Sequence, residues 1–283
     1  LSRSSGTTLF MTLLAAYKVL LYRYSGQADL CVGTPVANRQ DPLLESLAGF
    51  FVNTLALRSD LSGNPPFRQV LKQIRTTVLS AFERQETPFE QVVDRVEQRR
   101  DLSRNPVFQV EFVLQNLPEI ADLNLRGLTI AQEFDVHVAA QFEVSLSVIE
   151  KPEKLILGFI YNSDLFTESR MDRFAGHFRE LLTGLVADPD IRIGECPMLT
   201  AEEEREILVA FNDTAKAYPA DKTIIDLVFE QVKRTPEKTA VTCAGEALSY
   251  SELLSRAGQL AGYLRAQAIG KEEIIPVCMD RSP

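Results

Sequence analysis

Apolar residues Leu9, Leu13, Tyr17, Leu20, Leu21 and Tyr24 recur at spacings of three and four, the period that lays one face of a helix against a core. Ser4, Ser5 and Thr7 stand just ahead of it, where side-chain oxygens satisfy the first free N–H groups of a helix. The run Ser4-Ser5-Gly6-Thr7-Thr8 also has the look of a small-residue phosphate loop. Such a loop, however, usually keeps a lysine close behind it to meet the anion's charge, and the first lysine, Lys18, comes three helical turns later.

Downstream the period changes repeatedly. "DLCVGTPVANR" (29–39) predicts a short strand and a polar turn, and "GFFVNTLALR" (49–58) a second strand, with Val52, Thr54 and Ala56 on one face and Asn53, Leu55 and Leu57 on the other. Phe67, Val70, Leu71, Ile74, Val78 and Phe82 describe a helix. A shorter one starts at "TPFEQVVDRV", where Pro88 suits the first turn because its missing N–H costs nothing there. In "NPVFQVEFVLQN" Phe108, Val110, Phe112 and Leu114 alternate with Gln109, Glu111 and Gln115, the mark of a half-buried strand. Residues 143–162 read as a hairpin about Lys151-Pro152-Glu153. A long helix follows from about Thr167 to Ala187, stopped by Asp188-Pro189-Asp190. Strands alternating with amphipathic helices imply an α/β core with a mixed sheet.

After position 196 the pattern is different. A helix with a capping box, Thr200 with Glu203, leads into a polar stretch around Pro219 that reads as a linker. Then come a helix (224–234), a strand "TAVTC", a turn at Ala244-Gly245-Glu246, a helix capped by Ser249 with Glu252, and a last strand "EIIPVCMD". This predicts three parts: 1–205, a linker 206–222, and 223–283 as the opening of a second domain. Both ends look cut from something longer.

Composition narrows the function classes. A net charge of −9 with a pI near 5.0 and no basic block argues against nucleic-acid or membrane-surface binding. No apolar run approaches a membrane span. The scattered cysteines, Cys31, Cys196, Cys243 and Cys278, suit a reduced cytoplasmic chain better than a disulfide framework or a zinc site. The two histidines, His137 and His177, stand in no catalytic or metal-ligand spacing, and His177 reads as a surface or boundary residue. No catalytic residue, bound cofactor or metal ligand is assigned. Two features remain: the polar turn Arg99 to Asn105, in which Asp101, Ser103, Arg104 and Asn105 either satisfy one another or line a cleft, and Asn53, which either bonds a neighbouring strand or faces a channel.

These segments carry a resemblance. "GFFVNTLALR", "RQETPFE" and "RDLSRNPVFQV" resemble, in order and spacing, motifs from the C-terminal half of the condensation domains of nonribosomal peptide synthetases; "YNSDLF" and "MLTAEEEREIL" resemble those domains' last strand and exit. From Ile224 to Arg265 the chain is similar to the start of an adenylation domain, with "LSYSEL" (248–253) at its first motif. The resemblance implies a chloramphenicol-acetyltransferase-like lobe, here the C-terminal one, joined to the N-terminal edge of an adenylate-forming domain. It implies amide formation between two carrier-bound thioesters that reach a tunnel from opposite sides. It places Asn53, Thr54 and Arg58 near that tunnel or the lobe interface, and Pro88, Asp101, Arg104 and Asn105 in the turns that shape it. One departure is Phe142-Glu143-Val144, where the family usually has Phe-Asp-Leu.

The implied partners are upstream and downstream carrier domains with phosphopantetheine arms, the missing N-terminal lobe, and the rest of the adenylation domain, which would use ATP with Mg. The family's His-His-x-x-x-Asp-Gly signature is absent from this sequence. Deprotonating an α-amino group at pH 7 demands only about 1.4 kcal/mol or less, whereas orienting two reactants supplies roughly 7 to 11 kcal/mol. Tunnel geometry therefore matters at least as much as a base. The competing readings are an epimerisation domain of the same fold and a non-catalytic lobe that docks carrier proteins.

Overall fold

The computed structural model describes residues 1–97, 101, 103–115, 139–270 and 273–278. It divides into two compact units, Leu1–Asn212 and Asp213–Pro283.

In the first unit a five-stranded mixed sheet has the order β2-β1-β3-β4-β5, with β1 at Asp29–Val36, β2 at Asn53–Asp60, β3 at Val110–Gln115, β4 at Val144–Lys151 and β5 at Lys154–Tyr161. The outer pairs β1/β2 and β4/β5 are antiparallel, and the inner pairs β1/β3 and β3/β4 are parallel. The β4/β5 hairpin closes through Pro152-Glu153, as the alternation predicts. Among the described residues, β1 and β3 pair at one position, Gly33 opposite Glu111.

Helices cover one face. α1 (Leu9–Ser25) contacts α3 (Phe67–Phe82) on one side and α5 (Glu168–Ala187) on the other, and β1 beneath. That central place explains a departure from the sequence pattern: α1 is buried all round from Met11 to Leu20 rather than along one stripe. Its cap also differs. Thr8, not Ser4, Ser5 or Thr7, is the N-cap and accepts from Met11 N, while Thr7 and Thr12 share a buried hydroxyl contact and Ser4 donates back to Leu1 O. The phosphate-loop reading has no support in this geometry, since the small residues serve the helix start.

Residues Leu30, Val32, Val36, Leu55, Leu57, Phe112, Leu146 and Val148 face the helices and join one core with Leu13, Leu20, Phe67, Ile74 and Phe178. Buried within that layer is Lys18, whose Nζ donates to the Leu57 carbonyl (2.6 Å) and Ser59 Oγ (2.7 Å). Burial pulls its ammonium down to about 7, against the opposing pull of Cys31 and Asp29. A lysine in the middle of an apolar helix does not announce burial in sequence; only α1's central position imposes it.

The opposite face of the sheet is mostly small or polar: Ala56, Gly33, Glu111, Ser145 and Ser147. Strand β2 begins later than predicted, at Asn53, because residues 49–52 have no strand partner and remain largely exposed. A short α2 (Pro42–Glu45) precedes it, and α4 (Phe89–Val96) follows α3. His177 departs from the boundary position expected of it, being buried in α5. His137 lies outside the described residues.

The exit α6 (Ala201–Arg205) has the predicted Thr200/Glu203 box and passes into a π-helical turn at Glu206–Ala210. The second unit contains α7 (Ile224–Arg234), a hairpin of β6 (Thr239–Cys243) and β7 (Glu246–Ser249), and α8 (Tyr250–Ala266). The left-handed pair Ala244-Gly245 turns the hairpin, so β7 occupies residues that alternation alone left as a turn and cap. Thr223 with Asp226 and Ser249 with Glu252 both form capping boxes. The predicted last strand does not form over 273–278, where no pairing partner is present among the described residues.

A Cβ on Gly33 would lie 2.0 Å from Phe108 Cε2. Gly33→Ala is therefore expected to cost roughly 1–3 kcal/mol of stability through overpacking, with Phe108→Ala in the same chain relieving the steric part in a denaturant double-mutant cycle. For Lys18, a folded-state pKa below the ordinary value means that the unfolded chain binds more protons above pH 7. Stability should rise from pH 7 toward 8.5, by at most about 1.4 kcal/mol per pH unit, before the raised Cys31 and Cys196 thiols oppose it. Lys18→Met should flatten that slope in urea titrations.

Candidate functional site

Three of the sequence segments singled out above meet on the sheet face away from α1, α3 and α5. The N–H of Phe108 donates to Pro106 O (2.8 Å), closing a tight turn about Val107, which holds the left-handed φ of 67°. A β-branched residue avoids that region unless its surroundings impose it. Here the Val107 N–H is fixed by Glu97 Oε1 at 2.8 Å. The turn drops the Phe108 ring onto Gly33, where Phe89 (centroids 5.5 Å) and Phe142 (5.3 Å) flank it. "TPFEQ", "NPVFQ" and "QFEV" are thus joined through aromatic contacts over one glycine.

Asn53 ties a fourth segment to them. Its Nδ2 donates to Gln85 O and Thr87 O, both at 2.7 Å, and its Oδ1 accepts from Phe89 N at 3.1 Å. It holds the loop ahead of α4, with Pro88 at that helix's N-cap position. Of the two readings of Asn53, the bond to a neighbouring segment is realised, with a loop rather than a strand. Thr54, beside it, pairs with Pro35 in the β1/β2 ladder.

Among the described residues of the polar turn, Asp101 holds Ser103 and Arg104. Asp101 Oδ1 accepts from Ser103 N and Oγ, and Oδ2 from Arg104 Nε at 2.9 Å; the Ser103 bonds first, then Arg104, hold the Asp101 carboxyl down at about 2. Asn105 Nδ2 donates to Gln141 O (2.8 Å), linking the turn to the start of β4. Arg58 makes a two-pronged ion pair with Asp29 across β1/β2, at 2.9 and 2.6 Å, and this hydrogen bonding lowers the Asp29 pKa. The pair is exposed, so it contributes orientation more than stability.

Two clefts open at opposite ends of the narrow β1/β3 junction. One, about 1020 Å³, lies where β1, β3 and β4 begin and is lined by Asp29, Cys31, Arg58, Arg104, Glu143 and Tyr24 among others. The other, about 840 Å³, lies at the far ends of the same strands, with Pro35, Arg39, Phe82, Leu114 and Glu150 in its wall. Of the residues named from sequence, Arg58 and Arg104 share the first cleft, whereas Asn53, Thr54, Pro88, Asp101 and Asn105 line neither and brace the elements around them.

Sequence reasoning missed Glu111 and Arg39. Glu111 stands opposite Gly33, half-buried, and burial raises its carboxyl pKa although Ser145 bonds it. Arg39 donates to the carbonyls of Leu44, Leu47 (2.8 Å) and Gly49 (3.2 Å), and its guanidinium lies 4.2 Å from the Phe51 ring centroid. It thereby fixes a loop that leaves Leu43 and Phe50 facing solvent at 77% and 91% exposure. The signal available in sequence was the apolar content of a Pro/Gly-bounded loop.

A mixed sheet with helices on one face and motif-bearing turns on the other defines a chloramphenicol-acetyltransferase-like lobe. The condensation-domain family matches residues 1–208, and the AMP-binding enzyme family matches residues 228–283. Linear gramicidin synthase subunits B and C of Brevibacillus parabrevis are 45% and 43% identical over the full length of this chain, which spans about 6% and 4% of theirs. The solved holo-AB3403, a four-domain nonribosomal peptide synthetase bound to AMP and glycine, superposes over 95% of this chain and 21% of its own with a TM-score of 0.79 at 25% identity. The X-domain solved in complex with OxyB, from teicoplanin biosynthesis, matches 70% of this chain and 44% of its own, with a TM-score of 0.61 and 27% identity. The chain belongs to the condensation-domain family, followed by the start of an AMP-binding domain, the junction found within a nonribosomal peptide synthetase module. No helix among the described residues is long and apolar enough to cross a membrane.

Asn53→Ala leaves two loop carbonyls and the Phe89 N–H without their partner. The expected result is a loss of about 1–2 kcal/mol together with faster proteolysis between Arg84 and Phe89, read by mass spectrometry of the fragments.

Proposed function

We propose that residues 1–205 form the acceptor-side lobe of an amide-forming condensation domain, in which the amine of a carrier-bound aminoacyl thioester attacks an upstream acyl or peptidyl thioester. The observation that carries this reading is the pair of clefts at opposite ends of one strand junction. Two tethered substrates approaching from opposite sides need such an arrangement. Arg58 and Arg104 sit on the wall of one path. Asn53, Thr54, Pro88, Asp101 and Asn105 act by holding the turns that shape the tunnel and the lobe interface, and the solvent-facing Leu43 and Phe50 suit contact with a second lobe. None of these residues is assigned proton transfer.

In this reading the partners are carrier domains with phosphopantetheine arms, an N-terminal lobe bearing the His-His-x-x-x-Asp-Gly signature, and an adenylation domain that uses ATP with Mg to activate an amino acid. The product class is a peptide secondary metabolite. The match to an X-domain solved in complex with OxyB favours a second reading, a lobe that docks partner proteins without catalysis.

With donor and acceptor carrier proteins loaded, residues 1–283 alone are expected to give no amide product by mass spectrometry. The whole module should give product, and Arg58→Ala with Arg104→Ala in that module should lower kcat/KM by tenfold or more. Turnover by the isolated chain would overturn the two-lobe requirement. Carrier binding without turnover by the whole module would favour the docking reading.

A further inference from the structure

Tyr24, His177 and Glu203 come from three elements separated in sequence, yet they form a continuous chain of hydrogen bonds. Tyr24 Oη lies 2.6 Å from His177 Nδ1, and His177 Nε2 lies 2.8 Å from Glu203 Oε2. The same Oε2 accepts from Thr200 N and Thr200 Oγ1, each at 2.9 Å, and Thr200 Oγ1 accepts in return from Glu203 N. Although desolvation pushes the Glu203 carboxyl up, the bonds from Thr200 and His177 outweigh it and keep the pKa below the usual value. An ionised carboxylate only accepts, so Nε2 carries the proton; in the neutral ring Nδ1 is then the acceptor, to which the Tyr24 hydroxyl donates. All members of the chain have one consistent set of donors and acceptors.

Each end of this chain touches something different. Tyr24 lines the 1020 Å³ cleft and packs edge-on against Phe174 at 4.8 Å, and burial raises its hydroxyl pKa against the opposing charges of Arg170 and Arg173 on α5. Glu203 is the third residue of the capping box that starts α6. Thr200 also lies near Gly176 of α5, where an added Cβ would come within 3.7 Å of its Cγ2. A separate fastening lies upstream, where Arg23 donates to the carbonyls of Ile193 and Cys196.

We infer that Tyr24, His177 and Glu203 are a cooperative joint that ties the cleft wall to the exit helix, so that a ligand displacing the Tyr24 ring loosens the seating of α6. Its functional meaning rests on the proposed role of the cleft; the joint itself does not. Hydrogen bonds that share a histidine strengthen one another, because each one helps to orient the ring that the other needs.

The test uses residues 1–283 and amide hydrogen exchange at Glu204, whose N–H donates to Thr200 O, with Glu203 read as well where it is not substituted. Tyr24→Phe, which keeps the ring, and Glu203→Gln should each speed exchange about tenfold, and the double variant by no more than either alone. Rates that multiply in the double variant would overturn the joint, as would Tyr24→Phe having no effect. A non-hydrolysable aminoacyl-pantetheine amide is then added and its binding measured directly by calorimetry. Where it binds, exchange at Glu203 and Glu204 should change in the wild type and not in Tyr24→Phe; no change in the wild type would overturn the coupling. Failure of this probe to bind would instead count against the cleft reading, while the variant cycle still decides the joint.

Discussion

The contact of Phe108 with Gly33 is the constraint on which the motif face depends. Among the described residues β1 and β3 meet there through one pair, and a side chain on Gly33 would occupy the space of the aromatic ring. The strained backbone at Val107 exists to deliver that ring, and the Glu97 carboxylate holds the strain in place. Once Phe108 is seated, Phe89 and Phe142 follow, and with them the loops that Asn53 and Asn105 brace. A junction this narrow also leaves the strands free to part on either side, which is where the two clefts lie.

Two of the ion pairs on this lobe orient cleft-margin side chains rather than hold the fold together. The Arg58–Asp29 and Arg104–Asp101 pairs are exposed, so their net worth in water is small, but each fixes a guanidinium at the margin of a cleft. Lys18 is the opposite case. It is buried by the packing of α1 between α3 and α5, and the fold keeps it only by giving its ammonium two acceptors on β2. Removing desolvated polar contacts of this kind usually costs more than removing surface pairs.

Much of the first unit was legible in the chain because amphipathic periods are local. The hairpin about Pro152-Glu153, the long α5 and the Thr200/Glu203 box follow from spacing alone. The errors cluster where a local signal competed with long-range packing. Ser4 and Thr7 were as good caps as Thr8 on composition, and the choice fell to the helix register. His177 carried no catalytic spacing, so nothing local marked its bonds to Tyr24, 153 positions away, and to Glu203.

The sequence by itself determined most strand and helix periods, the capping boxes at Thr200 and Ser249, and the motif set that names the family. Those depend on neighbours within a few residues. Which motif residues touch one another, that Asn53 braces a loop, that Arg58 and Arg104 share a cleft while Asp101 serves its own turn, was decided only by tertiary structure. A strand's register and a helix's depth in a layer are set by partners far along the chain, and side-chain direction follows from both.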